Sequence, residues 1–149
     1  MLTKRLKDKL YSQIPLTSHM KIDINKYTST QLITSMPLDI NINDKGTAFA
    51  GSLATLTTIS AWSICWLITQ ELGFKNTSIV IIKNETNFNA PVTKDVVCYT
   101  QKPSNQEILT LKEKLLTKNS GSINIKSAIT EENKACVDFN GLYVIKILE

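Results

Sequence analysis

Five residues near the middle of this chain carry most of the chemistry its sequence offers. Gly51, Thr55, Thr58 and Trp62 fall at i, i+4, i+7 and i+11, the spacing that places side chains on one face of an α-helix. Asn43 precedes them in a turn-forming stretch with Asp44 and Gly46. A glycine on such a face lets another group approach the backbone closely. The start of a helix offers free N–H groups and the positive end of a dipole, both suited to an oxyanion. Asn43 adds amide hydrogens and Thr58 a hydroxyl, so the set can polarise a carbonyl and orient a carboxylate or a water. A competing reading gives them no chemistry: Thr55 and Thr58 bond back to carbonyls of their own helix, and Trp62 belongs to the core.

These residues sit in or beside a run of 25 without charge, Gly46 to Gln70, in which eight positions are Ser or Thr. At about 1.5 Å per residue such a run could cross a hydrocarbon layer of about 30 Å. Its hydroxyl content and the strand-like segments on both sides favour a helix buried in protein, apolar nearly all round because a sheet wraps it. Asn43, Asp44 and Gly46 read as turn and cap chemistry before that helix, and Gly73 as the glycine that follows its end.

The flanking elements follow from periodicity. Leu2, Leu6 and Leu10 repeat at helical spacing among Lys4, Arg5, Lys7 and Lys9, an amphipathic helix that packs on the domain or docks an acidic partner. Pro15 breaks it. Lys21–Tyr27 and Gln31–Ile40 alternate as strands, with Pro37 marking an edge or a bend. Ser78–Phe88 opens with Ile79-Val80-Ile81-Ile82 and reads as a strand buried on both faces. Asp95–Thr100 is another strand. Ser104 and Glu107 form a capping box for a helix to about Lys118, and Ile123–Thr130 and Ala135–Leu148 are the last strands. The expectation is one α+β domain over residues 1–149, its mostly antiparallel sheet curled round a long central helix.

Composition excludes several functions. A net charge of +4, from 17 Lys and Arg against 13 Asp and Glu, is too dispersed for a nucleic-acid surface. Cys65, Cys98 and Cys136 are odd in number and far apart, and His19 is the sole histidine, which argues against a metal site or a disulfide framework and for a reducing cytoplasm. The charged N-terminus lacks the apolar segment of a secretory signal. His19 is expected at the surface and Cys65 in the core.

The segment Asn43-Asp44-Lys45-Gly46-Thr47-Ala48-Phe49-Ala50-Gly51-Ser52-Leu53 resembles N-x-x-G-x-x-H-G-G, which opens the central helix of PaaI-type hot-dog thioesterases. More closely it resembles the YiiD C-terminal family, whose hallmark is approximately N-x-N-x-x-G-T-A-F-G-G-S-L. Ile14-Pro15-Leu16, Met36-Pro37-Leu38, Ala61-Trp62, Asn89-Ala90-Pro91-Val92 and Phe139-Asn140-Gly141 also fall where that family has similar residues. The resemblance implies a hot-dog fold and a homodimer whose sheets join; whether dimers pair further into a tetramer is left open by the sequence. It implies an acyl thioester bound at the dimer interface against the helix start, with Phe49, Ala50, Gly51, Thr55 and Trp62 around it. No cofactor is implied beyond the phosphopantetheine of an acyl carrier protein, or the CoA, that carries the substrate.

The chain departs from the PaaI pattern where mechanism is decided. The position of the catalytic Asp holds Thr58, the motif histidine is Phe49 and the first glycine is Ala50, while Asn43 and Gly51 are kept. No acid follows on the helix until Glu71, so an ordinary general base is missing. Stand-alone members of the YiiD C-terminal family include malonyl-ACP decarboxylases, which supply acetyl-ACP to start fatty acid synthesis. The resemblance therefore implies decarboxylation, and the chemistry of the residues suits Asn43 to hold the thioester carbonyl and Thr58 to partner the departing carboxylate or a proton. Two alternatives stand beside it: a thioesterase with Asp39 or Asp44 as base, and a domain that binds acyl thioesters without turnover.

Overall fold

The computed structural model describes residues 1–148; Glu149, the last residue of the expected domain, lies outside them. Its axis is a 22-residue helix, Ala50–Glu71, labelled α3 in chain order. Before it come α1 (Leu2–Gln13), α2 (Pro15–His19), β1 (Asp23–Tyr27) and β2 (Gln31–Met36). After it come β3 (Thr77–Phe88), β4 (Val96–Gln101), α4 (Asn105–Lys118), β5 (Ser120–Glu131) and β6 (Lys134–Ile147). The six strands form one antiparallel sheet in the order β1-β2-β4-β5-β6-β3, and α3 packs against five of them.

Alternation decides which side chains face the helix. Along β5, Ile123, Ile125, Ser127 and Ile129 are buried while Asn124 and Lys126 face water; along β6, Val137, Phe139, Tyr143 and Ile145 point inward. α3 presents Leu56, Ile64 and Leu67 to them, fully buried. Hydroxyls on this interior pair across elements, Thr34 with Ser60 at 2.7 Å and Thr100 with Ser127 at 2.8 Å. Among the described residues no buried side-chain polar atom lacks a partner, as burial requires. α3 is also the one helix among them long and apolar enough to cross a membrane, and 67% of its most apolar window is buried inside the protein.

Several expected boundaries move, each for a local reason. The central helix begins at Ala50, four residues into the uncharged run, and Gly46 lies in the turn before it, as expected. Gly46 has φ +84°, outside the helical region, and Ile42 pairs with Ala48 as a short bridge. β2 stops at Met36 because Pro37 has no N–H for a ladder, and the Leu38 N–H turns to Asp95 instead. Pro37 therefore marks a bend and not an edge, since β2 lies inside the sheet. β3 is not buried on both faces: it is one of the two edge strands, with Val80 50% and Ile82 58% exposed. Pro15 ends α1 but starts the short α2 as its first residue.

Other signals hold. Ser104 and Glu107 form the reciprocal capping box of α4. Gly73, φ +89°, follows α3; its N–H reaches Gln70 O and the Phe74 N–H reaches Thr69 O, the Schellman pattern. α1 buries Leu6 and Leu10, and Arg5 lies over the Trp66 ring and donates to Gln70, so α1 covers the far half of α3. Its lysines are engaged within the chain: Lys4 with Asp8, Lys7 with Asp23, Lys9 with Gln13. His19 is exposed and Cys65 fully buried, as expected.

Candidate functional site

The first turn of α3 is set by the loop before it. Residues 38–49 fold back on themselves: the Asn41 N–H donates to Leu38 O, and the Phe49 N–H to Asn41 O at 2.8 Å. Asn41 is 2% exposed and donates both amide hydrogens, to Met20 O at 3.0 Å and to Pro37 O at 2.9 Å. One buried carboxamide thereby ties the end of α2, the end of β2 and the entry to α3. Sequence reasoning passed over Asn41; the signal available for it was the N-x-N spacing with Asn43.

Asn43 organises the tip of the same loop. Its Oδ1 accepts from the N–H groups of Lys45 at 2.8 Å and Thr47 at 3.1 Å, and its Nδ2 donates to Thr47 Oγ1 at 2.8 Å and Ala48 O at 3.4 Å. The expectation of two free amide hydrogens is corrected. One is committed to the turn, and the other is held only by a long contact near the limit of a hydrogen bond.

Phe49 occupies the N-cap position, where its side chain accepts nothing. The N–H groups of Ala50, Gly51 and Ser52 meet no acceptor among the described residues; the first helical bond is Leu53 N–H to Phe49 O at 3.0 Å. Asp44, read from sequence as a cap, does not serve as one: it lies in solvent against Lys45 Nζ at 3.0 Å. The positive end of the α3 dipole is therefore uncompensated by any side chain.

Gly51, Thr55, Thr58 and Trp62 do form one stripe on α3, exposed at Gly51, part-buried at Thr55 and Thr58 and packed against the core at Trp62, with Phe49 and Ala50 at its head. Beside it is a hollow of about 230 Å³ lined by Ala54, Thr55, Thr58 and Ile59. Asn43 stays outside this lining. The Thr55 hydroxyl donates to Gly51 O at 2.8 Å and the Thr58 hydroxyl to Ala54 O at 2.7 Å. The back-bonding reading is thus correct for their protons, while the lone pairs of both oxygens stay open. A proton donated by Thr58 to a ligand requires rotation away from Ala54.

The middle of α3 is fixed to three strands. The Trp62 Nε1–H donates to Ile79 O of β3 at 3.1 Å, the Tyr143 hydroxyl on β6 to Thr58 O at 2.6 Å, and Ser60 pairs with Thr34 of β2. Burial pushes the Tyr143 hydroxyl far above its ordinary range, so it stays a donor.

No charged or imidazole side chain lines the hollow. Asp39 is exposed in the loop before α3, and Glu71, at the far end of the helix, accepts from Tyr27 at 2.7 Å and Lys102 at 3.2 Å. Among the described residues no three of His, Cys, Asp and Glu could hold a metal. Roomier hollows of about 470 and 310 Å³ lie on the outer face of the sheet, on the side away from α3. Behind the site, Glu131 accepts from the Thr93 hydroxyl at 2.7 Å and from the Thr93 and Lys94 N–H groups, bonds that hold its carboxyl below the usual range, the hydroxyl foremost. The strap between them supplies Val92 O, which accepts the Ala48 N–H at 2.8 Å.

Comparison with known proteins places this geometry. A family model described as "Putative thioesterase (yiiD_Cterm)" matches residues 3–147. A protein of unknown function from Chlorobaculum tepidum superposes with a TM-score of 0.93 at 29% identity, over 98% of this chain and 94% of that one. A "putative thioesterase" from Shewanella oneidensis superposes with a TM-score of 0.87, also at 29% identity, over 99% and 98%. A thioesterase from Haemophilus influenzae, at 23% identity and TM-score 0.66 over 90% and 85%, shares the fold.

Proposed function

The chain belongs to the YiiD C-terminal thioesterase family, and from that premise we propose that it acts on an acyl thioester whose carbonyl oxygen seats on the first turn of α3. The observation that carries this reading is the uncapped, charge-free helix start, with free N–H groups at Ala50, Gly51 and Ser52 beside the Thr55–Thr58 hollow. Such donors stabilise negative charge on a thioester oxygen, whether in an enolate or in a tetrahedral intermediate. Asn43 supports them by exchanging its 3.4 Å contact with Ala48 O for the substrate carbonyl.

Of the two reactions, we favour decarboxylation of a malonyl thioester carried on an acyl carrier protein or CoA. The bond between C2 and the carboxylate carbon breaks, the electron pair passes into an enolate held by the N–H groups, CO₂ leaves, and C2 takes a proton from solvent water to give the acetyl thioester. No base is needed, and the hollow offers none. Gly51 and Thr58 lie about 10 Å apart along α3, further than one malonyl group spans, so the Thr58 that turns its proton from Ala54 O towards the substrate carboxylate is that of a second copy, and Ala54 O keeps its helix-ladder bond. The edge of β3, with Val80 and Ile82 exposed, is where a second copy pairs to close the site.

Hydrolysis is the second reading, supported by the description of the family and of the Shewanella oneidensis relative. Incubation with malonyl-ACP and malonyl-CoA separates them. Decarboxylation yields CO₂ and the acetyl thioester; malonate with free thiol overturns it in favour of hydrolysis. Loss of either reaction in Asn43→Ala, with the fold intact, ties the chemistry to this site.

A further inference from the structure

We infer that the Phe49 ring selects between these two reactions by keeping water off the thioester carbonyl carbon. The inference rests on the thioester reading above and concerns what the site excludes rather than what it binds.

Phe49, at the N-cap position, is 53% exposed. The ring folds forward over the first turn. A Cβ built on Gly51 would meet its Cε2 at 2.4 Å, its Cζ at 2.9 Å and its Cδ2 at 3.1 Å. One edge of the ring therefore occupies the space that any other side chain at 51 would fill, and Gly51 is its seat. The backbone beneath it is held on both sides, by Asn41 O accepting the Phe49 N–H at 2.8 Å and by the Leu53 N–H donating to Phe49 O at 3.0 Å. The ring thus stands at the head of the stripe, against the turn whose N–H groups are free.

A carbonyl oxygen on the Gly51 or Ser52 N–H brings its carbon beside that ring edge. The two reactions differ in what they need there. Hydrolysis requires a water oxygen to bond to the carbonyl carbon, after which the C–S bond breaks and the thiol leaves with a proton. Decarboxylation breaks the C2–carboxylate bond and asks nothing of the carbonyl carbon except that its oxygen hold charge; its proton arrives at C2. An apolar ring over the carbonyl carbon therefore suppresses the first reaction and leaves the second open.

The test measures, for the full chain with malonyl-CoA, the ratio of free CoA thiol to acetyl-CoA formed, and separately the thiol released from acetyl-CoA. Phe49→Ala is expected to raise the ratio at least about tenfold and to speed acetyl-CoA cleavage, since the shield is gone. Gly51→Ala is expected to shift the ratio the same way by displacing the ring, and Phe49→Leu to fall between. An unmoved ratio in a folded Phe49→Ala overturns the inference; if that variant does not fold, the ratio for Phe49→Leu decides by the same criterion. Wild-type protein that releases neither CO₂ nor thiol fells the thioester reading and this inference with it, whereas wild-type turnover with an unmoved ratio fells only the role of Phe49.

Discussion

Replacing Thr58 with valine takes one oxygen from the face of α3 and changes little else. Valine keeps the branched shape and has nearly the same helix propensity. The lost bond runs from the Thr58 hydroxyl to Ala54 O at 2.7 Å. That carbonyl still accepts a helix-ladder bond, so no buried group is orphaned. The stability loss is at most about 1 kcal/mol, or about 2–4 °C in Tm for a chain of this size. The chemical loss is larger. A hydrogen bond to a charged group contributes about 1.5–3 kcal/mol, and about 1.4 kcal/mol is tenfold in affinity. This bond is made to the bound carboxylate and fades as its charge passes to the enolate, so KM for the malonyl thioester should rise roughly 10- to 150-fold while the fold persists. Thr58→Asp is the companion variant. Its carboxylate, about 4 Å from that of the substrate, adds a repulsion of about 1 kcal/mol with full water screening and about 4 kcal/mol at an effective dielectric near 20. Thr58 is half-buried, so the loss lies between these limits, and the new carboxylate supplies a base for hydrolysis. The assay quantifies CO₂, acetyl thioester and thiol by mass spectrometry alongside a thermal melt. An unmoved KM in a folded Thr58→Val would refute the role given to this hydroxyl.

Three further outcomes are expected. Asn41→Ala removes two buried hydrogen bonds and should destabilise the protein by roughly 2–4 kcal/mol, read by denaturant titration; a change below about 0.5 kcal/mol would contradict its anchoring of the loop. Glu131 binds its proton less readily folded than unfolded, its carboxyl being held below the ordinary value of 4.5. Its stabilisation is thus complete above that value and lost as pH falls through the lower folded one, so the difference in Tm between wild type and Glu131→Gln should shrink from neutral towards acid pH, and growth of that difference would refute the sign. Burial raises all three thiols, Cys98 to about 11 and Cys65 further, so an aromatic disulfide reagent should titrate none of them in the native protein and all three in denaturant.

The sequence revealed local structure best. The capping box at Ser104 and Glu107, the terminal glycine at 73 and the stripe on α3 each depend on spacing within a few residues, and each is found in the structure. The first residue of α3 was not legible because absence of charge extends past the helix: Thr47 and Ala48 are just as uncharged, but their N–H groups bond to Asn43 Oδ1 and Val92 O. β3 was misread because an apolar run signals burial without saying by what, and the strand order leaves it at the edge. Asn41 went unseen because its partners, Met20 O and Pro37 O, come together only in the folded chain. The hydroxyls of Thr55 and Thr58 were legible as types, but which acceptor holds each proton was decided by rotamer.

The bonds from Trp62, Ser60 and the Thr58 carbonyl clamp α3 at its waist to β3, β2 and β6. From Ala50 to Ser60 is ten residues, an arm of about 15 Å at the helical rise. α3 is thus a beam pinned at its waist, its first turn held by the loop through the Phe49 N–H and Asn41 O and its other end tethered through Glu71 to Tyr27 and Lys102. A substitution at Ser60 or Trp62, far from any reacting atom, would retune the aim of the first-turn N–H groups as surely as one at the tip.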